Sequence, residues 1–396
     1  MQFSHRTDWP LRHNRLTELL ERRRKEGQLV LDLTPSNPTS CAFSYPEKEL
    51  LTAFSDPAIL HYAPDPKGLL SAREAVCAYY RKAAARIDPA DVLLTASTSE
   101  AYAYAFSLLC DPGDEVLVPT PSYPLFDFLA QLSGVSLSHY RLPYDAGWHI
   151  DIGSIERAIT DKSRAIALIH PHNPTGAFLT IDEYRRLGRV AARRGLALIV
   201  DEVFLDYGFA EDAGRMGTTA GNHDALTLTF SGLSKIAGLP QMKGGWMVLS
   251  GPEKLKRAAA DRLETIADTY LSVNTPVQIA MSAILSGHSG VASQILERVK
   301  GNYQTLRSLC TAESNCNVLD SQGGWYGIIR VPNVRSDEEW ALELLEKRGI
   351  YLFPGYFFDI EGCHLVVSLL ADSAVFRQGI RGVLGEAGDT LTAEHR

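Results

Sequence analysis

Short apolar runs of strand length recur through the middle of the chain, and helical stretches separate them. Runs that are almost continuously apolar are typical of strands buried on both faces of a parallel sheet. The runs cover residues 92–95, 116–118, 165–169, 196–200, 226–230 and 247–249. The helical stretches include residues 100–109, 181–194 and 252–259. This alternation predicts an α/β fold in which helices flank a mostly parallel sheet.

The pattern changes near Gly287. Beyond it come a long helical stretch, a strand, a helix and another strand, at residues 291–310, 327–331, 337–348 and 365–369. These elements predict a smaller α+β domain, and the start of the chain has too little apolar sequence for a core of its own. We therefore predict a large domain over 45–287 and a discontinuous small domain over 1–44 and 288–396.

Composition excludes several partners. Among 396 residues, Lys and Arg number 39 against 47 Asp and Glu, so the net charge of −8 disfavours nucleic acid as a partner. The sequence contains no stretch of about 18 apolar residues, so it predicts no membrane-spanning helix. The first ten residues do not resemble a signal peptide. We expect a soluble, cytoplasmic enzyme that does not bind membranes.

Metal-binding side chains form no clear cluster in the sequence. The six cysteines contain no CxxC pair, which disfavours a zinc ribbon or a disulfide framework. His170 and His172 lie two residues apart beside prolines, a spacing that indicates a metal only weakly. We expect no metal site.

Polar residues follow the predicted strands, where an open parallel sheet places its ligand crevice. Ser97, with Glu100 three residues later, predicts a capping box and a helix N-terminus that attracts anions. The next four strands are followed by an aromatic ring, an amide, a carboxylate and a lysine: Tyr123, Asn173, Asp201 and Lys235. Each alone has an ordinary structural explanation as a helix cap, core ring, turn residue or solvated lysine.

Taken together, these side chains match the needs of pyridoxal 5′-phosphate. Its phosphate needs an anion site, its flat ring an aromatic neighbour, and its phenolic oxygen a donor such as an amide. A lysine forms a Schiff base with its aldehyde, and a carboxylate keeps its pyridine nitrogen protonated. Such a lysine must be partly desolvated, or lie beside other cations, to be nucleophilic near pH 7.

The chain resembles the class I/II, aspartate-aminotransferase-like family of pyridoxal-phosphate enzymes, which have fold type I. The most specific motif is Asn173-Pro-Thr-Gly176, followed 28 residues later by Asp201 and a further 34 residues on by Lys235. Other matching segments cover residues 33–39, 62–68, 111–115 and 354–355. The resemblance implies an aminotransferase that moves an amino group between an amino acid donor and a 2-oxo acid.

The resemblance also implies a role for each matching residue. Lys235 is implied as the Schiff-base lysine, which moves a proton between the substrate α-carbon and the cofactor. Asp201 partners the pyridine nitrogen, Asn173 the phenolic oxygen, and Tyr123 stacks on the ring. Residues at or beside the phosphate are Ser97, Thr98, Ser99 and Ser234. Tyr62 reaches the phosphate from the other subunit, which implies a homodimer with shared active sites.

Two departures from the family concern the cofactor. Lys243 stands where relatives usually have an arginine on the phosphate, which keeps the charge but loses the planar fork. Phe204 stands where they usually have a tyrosine, so one hydrogen bond to the phenolic oxygen should be missing.

Three departures concern the substrate. Val366 aligns with the arginine that clamps the substrate carboxylate, so another cation replaces it or the substrate is anchored differently. Ser36 stands where relatives often have a glycine facing the substrate. The position near Thr269, where dicarboxylate-specific relatives carry a second arginine, is uncharged, which disfavours aspartate and glutamate.

Two alternatives stay open beside aminotransfer. The missing arginine favours a same-fold lyase, cyclising synthase or decarboxylase, because carboxylate anchoring selects which substrate bond is broken. Cofactor-binding effector domains of transcription regulators also resemble this family, but they follow a DNA-binding domain. Because the small-domain segment starts close to Met1 and the chain is acidic, we do not expect such a regulator. Motifs of other enzyme classes, such as GxSxG, GxxxxGK[ST] and HExxH, are absent from the sequence.

Overall fold

The computed structural model describes residues 1–9, 14–222, 224–311 and 314–394. Its strands in chain order are β1 (Leu31–Asp32), β2 (Val92–Thr95), β3 (Glu115–Thr120), β4 (Ser136–Arg141), β5 (Ser163–Ile169), β6 (Ala197–Asp201), β7 (Thr227–Gly232), β8 (Gly245–Ser250), β9 (Asn317–Val318), β10 (Tyr326–Arg330), β11 (Ile350–Tyr351), β12 (Phe353–Pro354) and β13 (His364–Ser368). Its helices are α1 (Arg15–Lys25), α2 (Glu47–Ala53), α3 (Leu70–Lys82), α4 (Thr98–Leu109), α5 (Leu125–Ser133), α6 (Ile152–Ala158), α7 (Ile181–Arg194), α8 (Leu233–Ile236), α9 (Glu253–Tyr270), α10 (Thr275–Leu309), α11 (Asp337–Arg348) and α12 (Ser373–Glu394).

Seven strands form the central sheet, in the order β2-β8-β7-β6-β5-β3-β4. Strand β8 runs antiparallel to both of its neighbours, whereas the pairs among β3 to β7 are parallel. The predicted α/β fold with a mostly parallel sheet is therefore confirmed. The carboxyl ends of β5, β6 and β7 lie side by side, which brings the segments that follow them to one edge of the sheet.

Helices cover both faces of this sheet. On β6, Ile199 faces a core formed with α4 and α9, whereas Leu198 and Val200 face the opposite core, formed with α7. Successive side chains of a strand point to opposite faces, so both must be apolar when both faces are covered. This is why these strands are almost continuously apolar in the sequence.

A second core lies around the antiparallel sheet β12-β13-β10-β9. It includes the fully buried Trp340 and Phe376, from α11 and α12, and residues of α1. Strand β1 pairs in parallel with β11, which attaches the start of the chain to this part of the fold. The predicted domain ranges stay a prediction: helix α10 runs unbroken across 287/288, and residues 10–13 lie outside the described part of the chain.

Helix α10 is long and apolar enough to cross a membrane by length and composition alone, and it is the one such helix among the described residues. Its apolar side, which includes Met281 and Ile284, is buried against α3 and other core elements. The helix therefore has the position of a core helix.

The sequence missed one strand of the central sheet, as well as the two-residue strands β1, β9, β11 and β12, and it shortened two helices. Strand β4 pairs only with β3, at the edge of the sheet, so it is polar and partly exposed and has no continuous apolar run. Helix α9 extends well beyond the predicted 252–259, and α10 begins before the predicted 291–310.

We expect Gly176→Ala to lower the free energy of unfolding by about 3–5 kcal/mol. Gly176 follows β5 in the left-handed region, at φ +69°, and a Cβ there would overlap the Ser321 hydroxyl and the Gly323 carbonyl. Gly195→Ala is the matched control, since its φ is +68° but nothing lies within 4 Å of its Cβ. That variant should lose only about 1–2 kcal/mol. Urea unfolding measures both, and equal losses would contradict the close packing at Gly176.

Candidate active site

A cavity of about 260 Å³ lies at the carboxyl ends of the parallel strands. All of the residues predicted for the site line this one cavity except Tyr62: they are Ser36, Ser97, Thr98, Ser99, Tyr123, Asn173, Asp201, Phe204, Ser234, Lys235 and Lys243. They come from segments spread over more than 200 residues of sequence. The parallel sheet thus brings together side chains that the sequence shows only as separate strand ends.

Two opposite charges define the centre of the cavity. Asp201 is the last residue of β6, and Lys235 lies in the short helix α8 that follows the neighbouring strand β7. Burial lowers the pKa of the Lys235 ammonium to about 8, although the Asp201 carboxylate opposes this shift. Burial likewise raises the pKa of Asp201 to about 6, opposed by the Val203 N–H, by Lys235 and by Tyr102. Roughly a tenth of the Lys235 amines are therefore neutral at pH 7.

Aromatic rings surround the lysine amine. The Nζ of Lys235 lies 4.9 Å from the ring centroid of Trp325 and 5.7 Å from that of Phe204. The Tyr207 hydroxyl donates a 2.6 Å hydrogen bond to the backbone carbonyl of Lys235, which holds the backbone of the lysine in place. The rings exclude water from the amine and so account for its low pKa.

One end of the cavity has the character of an anion site. Helix α4 begins at Thr98, and Ser97 is its N-cap, accepting a hydrogen bond from the Glu100 N–H at 3.2 Å. The Glu100 carboxylate accepts from the Ala96 N–H at 2.7 Å rather than from Ser97, so the predicted capping box closes one residue earlier. The first residues of α4, whose N–H groups have no partner within the helix, line the same cavity as the positively charged Lys243.

The other parts of the cavity supply an amide and a ring. Asn173 lines the cavity with its Oδ1 buried and without a hydrogen-bond partner among the described residues. Tyr123 lines it with 43% of its surface exposed, and Ser36 lies exposed at the rim. A side-chain amide, a carboxylate, a lysine and a helix N-terminus in one cavity are the groups that pyridoxal phosphate needs, so the residues fit that cofactor.

Sequence reasoning missed two tyrosines that also line the cavity, Tyr102 and Tyr326. Tyr102 lies four residues after Thr98 on α4, and residues at this spacing share one face of a helix. That spacing was a usable signal. Tyr326 begins β10, a strand far along the chain, and nothing in the local sequence relates it to the cavity.

Tyr62 lies away from this cavity in the described chain. It is 77% exposed and borders a separate, small recess together with Leu271. Within one chain, the structure therefore does not bring Tyr62 to Lys235.

Val366 occupies a wholly apolar environment. It is fully buried on β13, opposite Ile328 of β10, and packs in a cluster with Phe358 and Ile360. Among the described residues that line the cavity there is no arginine, and the cations are Lys235 and Lys243. Thr269 lies elsewhere, on an exposed turn of α9, where its hydroxyl donates to the Thr265 carbonyl.

The side chains of His170 and His172 form hydrogen bonds that hold the segment around Asn173. His170 accepts the Leu179 N–H at Nδ1, and its Nε2 lies 2.8 Å from the Gly217 carbonyl, so the ring is neutral. Burial lowers the pKa of His170 to about 4 and that of His172 to about 3. Both rings are therefore uncharged parts of the core at neutral pH.

Comparisons with known proteins show the family to which a chain with this fold and this buried lysine and carboxylate belongs. Residues 47–372 match the family described as aminotransferase class I and II. Glutamate-pyruvate aminotransferase AlaA of Haemophilus influenzae is 31% identical over 343 residues, covering 85% of this chain and 84% of the relative. Alanine aminotransferase of Mycobacterium bovis is 30% identical over 347 residues, covering 84% and 80%.

Solved structures agree with these relatives. The alanine aminotransferase of Pyrococcus furiosus has a TM-score of 0.87 at 26% identity, covering 98% of this chain and all of that one. An aminotransferase from Escherichia coli has a TM-score of 0.85 at 26% identity, with 98% coverage of both chains. The chain belongs to the class I and II aminotransferase family. The predicted family and the predicted aminotransferase activity are confirmed.

We expect Val366→Arg to lower the free energy of unfolding by about 3–5 kcal/mol, because the guanidinium would be buried without a partner. Val366→Met is the matched control, since it changes volume without adding charge and should lose less than about 3 kcal/mol. Urea unfolding and half-reaction rates are measured for both. An arginine variant with unchanged stability and faster turnover would show instead that this position opens into the cavity.

Proposed function

We propose that the cavity holds pyridoxal 5′-phosphate through Lys235, and that the chain transfers an amino group between an amino acid and a 2-oxo acid. The observation that carries the proposal is the buried Lys235 amine, with its lowered pKa, beside the buried Asp201 carboxylate. When bound, the cofactor supplies an electron-accepting ring that makes a substrate α-proton removable.

The chain's own residues then have distinct tasks. Lys235 Nζ would take the proton from the substrate α-carbon and deliver it to the cofactor carbon C4′, which requires an amine that is neutral part of the time. Asp201 holds a positive charge at the ring nitrogen, and Asn173 donates to the phenolic oxygen through its amide. Tyr123 covers one ring face. At the opposite end Lys243 holds the phosphate, together with Ser97, Thr98, Ser99 and Ser234.

Phe204 shapes the same pocket without a hydroxyl. Its ring stands where a tyrosine would donate to the phenolic oxygen, so Asn173 is left as the neutral donor at that oxygen. A bound cofactor would therefore have one hydrogen-bond donor fewer at this oxygen than in relatives with a tyrosine at this position. The residue therefore tunes the cofactor rather than the substrate.

The substrate end of the cavity is polar but uncharged. Ser36, Tyr123 and Tyr326 offer hydroxyl groups, and the described lining has no arginine. Such a surface favours small neutral side chains over a second carboxylate. Because similar proteins are named for alanine, glutamate and pyruvate, these three compounds are the first to test.

We expect the holoenzyme, mixed with single amino acids and no 2-oxo acid, to lose its visible lysine–cofactor band as the amino group is transferred. The absorbance spectrum measures this, with alanine, glutamate and larger neutral amino acids in the panel. Lys235→Ala should abolish the band and slow the reaction more than 1000-fold, because the proton carrier is lost. Urea unfolding of the variant is the control for folding.

Two outcomes separate the proposal from its alternative. A band that persists while pyruvate, ammonia or carbon dioxide accumulates would identify a lyase or decarboxylase and would contradict the proposed role of the cavity in amino transfer. An unchanged spectrum in Lys235→Ala would overturn the assignment of the lysine.

We also propose that the active form is a homodimer with shared sites. The recess beside Tyr62 is bordered by exposed apolar groups, since Leu271 lies 45% exposed there and Tyr270 beside it is 64% exposed. Exposed apolar residues grouped in this way are typical of a surface that is covered by a partner. A second copy placed there would bring its Tyr62 towards the phosphate end of the first.

We expect inactive Lys235→Ala and weakened Tyr62→Ala chains to complement each other when they are co-expressed. A mixed dimer contains one site with both residues intact, so about one quarter of all sites regain function after random pairing. Half-reaction amplitude and sedimentation measure the result, and each variant alone is the control. A fully active monomer, or no gain on mixing, would contradict shared sites.

A cytoplasmic location is the last part of the proposal. All six cysteines are free, and burial raises the pKa of five of the thiols to about 11 or 12. Six unpaired thiols suit a reducing compartment.

A further inference from the structure

Tyr102 lies where α4 meets the carboxyl end of β6. Its ring packs edge-to-face on Phe126, at 5.1 Å, and on Phe230, at 5.0 Å between centroids. Phe230 of β7 is the direct register partner of Asp201 in β6. The ring of Tyr102 is therefore held beside the carboxylate by the same strand pairing that places Asp201 in the cavity.

The hydroxyl of Tyr102 is available to that carboxylate. It is buried, and it makes no hydrogen bond of full geometry to any described residue. The charged group that it faces is Asp201, whose own firm hydrogen bond comes from the Val203 N–H at 3.1 Å. A buried hydroxyl without another partner is costly unless it donates to a nearby acceptor.

We propose that Tyr102 is a positioning residue that donates its hydroxyl proton to Asp201 and so keeps this buried carboxylate ionised and directed into the cavity. The inference rests on the proposed role of Asp201 at the cofactor ring nitrogen. A neutral donor suits this task. It stabilises the Asp201 carboxylate by a hydrogen bond but adds no positive charge that would compete with the cofactor ring nitrogen for the carboxylate.

Other titratable groups also act on Asp201 or respond to its charge. They are Lys235 from α8, Glu202 on the same strand end, Tyr123 from the loop after β3 and Tyr80 from α3. Glu202 has its own donors, the hydroxyls of Thr218 and Thr219, and burial raises its pKa to about 7. These groups are present in both the Tyr102 variant and the native chain. Their effects on the pKa of Asp201 therefore cancel when the two chains are compared.

The pKa of Asp201 determines the sign of the expected effect. It is about 6 in the folded chain against an ordinary value of 3.8, so this group's contribution to stability is full below pH 4 and lost as pH rises through 6. Without the Tyr102 hydroxyl, the folded pKa should rise further, by about one unit. The stability gap between variant and native chain should therefore widen with pH.

The test compares Tyr102→Phe with Tyr140→Phe. Tyr140 is the matched control, since its equally buried hydroxyl donates to the neutral Ala167 carbonyl at 2.8 Å. Urea unfolding of the full chain, with cofactor removed, is followed from pH 5 to pH 8. Relative to the native chain, the folding constant of Tyr102→Phe should be lowered about tenfold more at pH 8 than at pH 5. The folding constant of Tyr140→Phe should be lowered by the same factor at every pH.

A second arm uses the holoenzyme. The acid limb of the half-reaction rate should move up by about one pH unit in Tyr102→Phe, with a smaller shift in Phe126→Leu, which loosens the ring but keeps the hydroxyl. If Tyr102→Phe does not fold, Phe126→Leu carries both measurements.

A pH-independent loss in the unfolding arm, like that of Tyr140→Phe, would overturn the role of Tyr102. Because that arm needs no cofactor, it separates failure of this inference from failure of the proposed cofactor site. If the stability difference between Tyr102→Phe and the native chain widens with pH but amino acids cause no spectral change, the Tyr102–Asp201 hydrogen bond is supported and the proposed cofactor function is rejected.

Discussion

The chemistry of the cavity depends on two opposite charges that are held out of water at one edge of a sheet. Asp201 and Lys235 follow neighbouring strands, β6 and β7, whose parallel pairing brings their carboxyl ends together. Burial alone would neutralise both groups, and each charge partly offsets that cost for the other. Helices on both faces of the sheet exclude water from the two groups, and the Val203 N–H donates a hydrogen bond to Asp201.

The surroundings of the pair divide the cavity into regions with different chemistry. The start of α4 and Lys243 give one end a positive potential, which suits a phosphate. Lys243 itself lies in the left-handed region at φ +53°, an unusual conformation for a lysine that directs the chain sharply into β8. The rings of Phe204 and Trp325 lie beside the Lys235 amine, and the described lining of the cavity contains no arginine.

The central fold could be predicted because its strands are buried on both faces. Residues 92–95 and 181–194 were located to the residue, since an apolar run and a strongly periodic helix each carry a clear local signal. Strand β4 was missed because an edge strand need not be apolar. The predicted break at 287/288 falls inside α10, where two glycines weaken the helical pattern without ending the helix, because the core packing around them supplies the stability.

The sequence by itself determined the chemistry: a lysine, a carboxylate, an amide and a helix start, each at the end of a recognisable strand, with spacings typical of one family. Only the tertiary structure decided which other side chains join them. Tyr326 lines the cavity from a distant sheet, Tyr102 packs on Phe126 and Phe230, and Val366 is surrounded by apolar neighbours. Local patterns record backbone propensity and burial, whereas contacts between distant segments depend on how strands and helices pack.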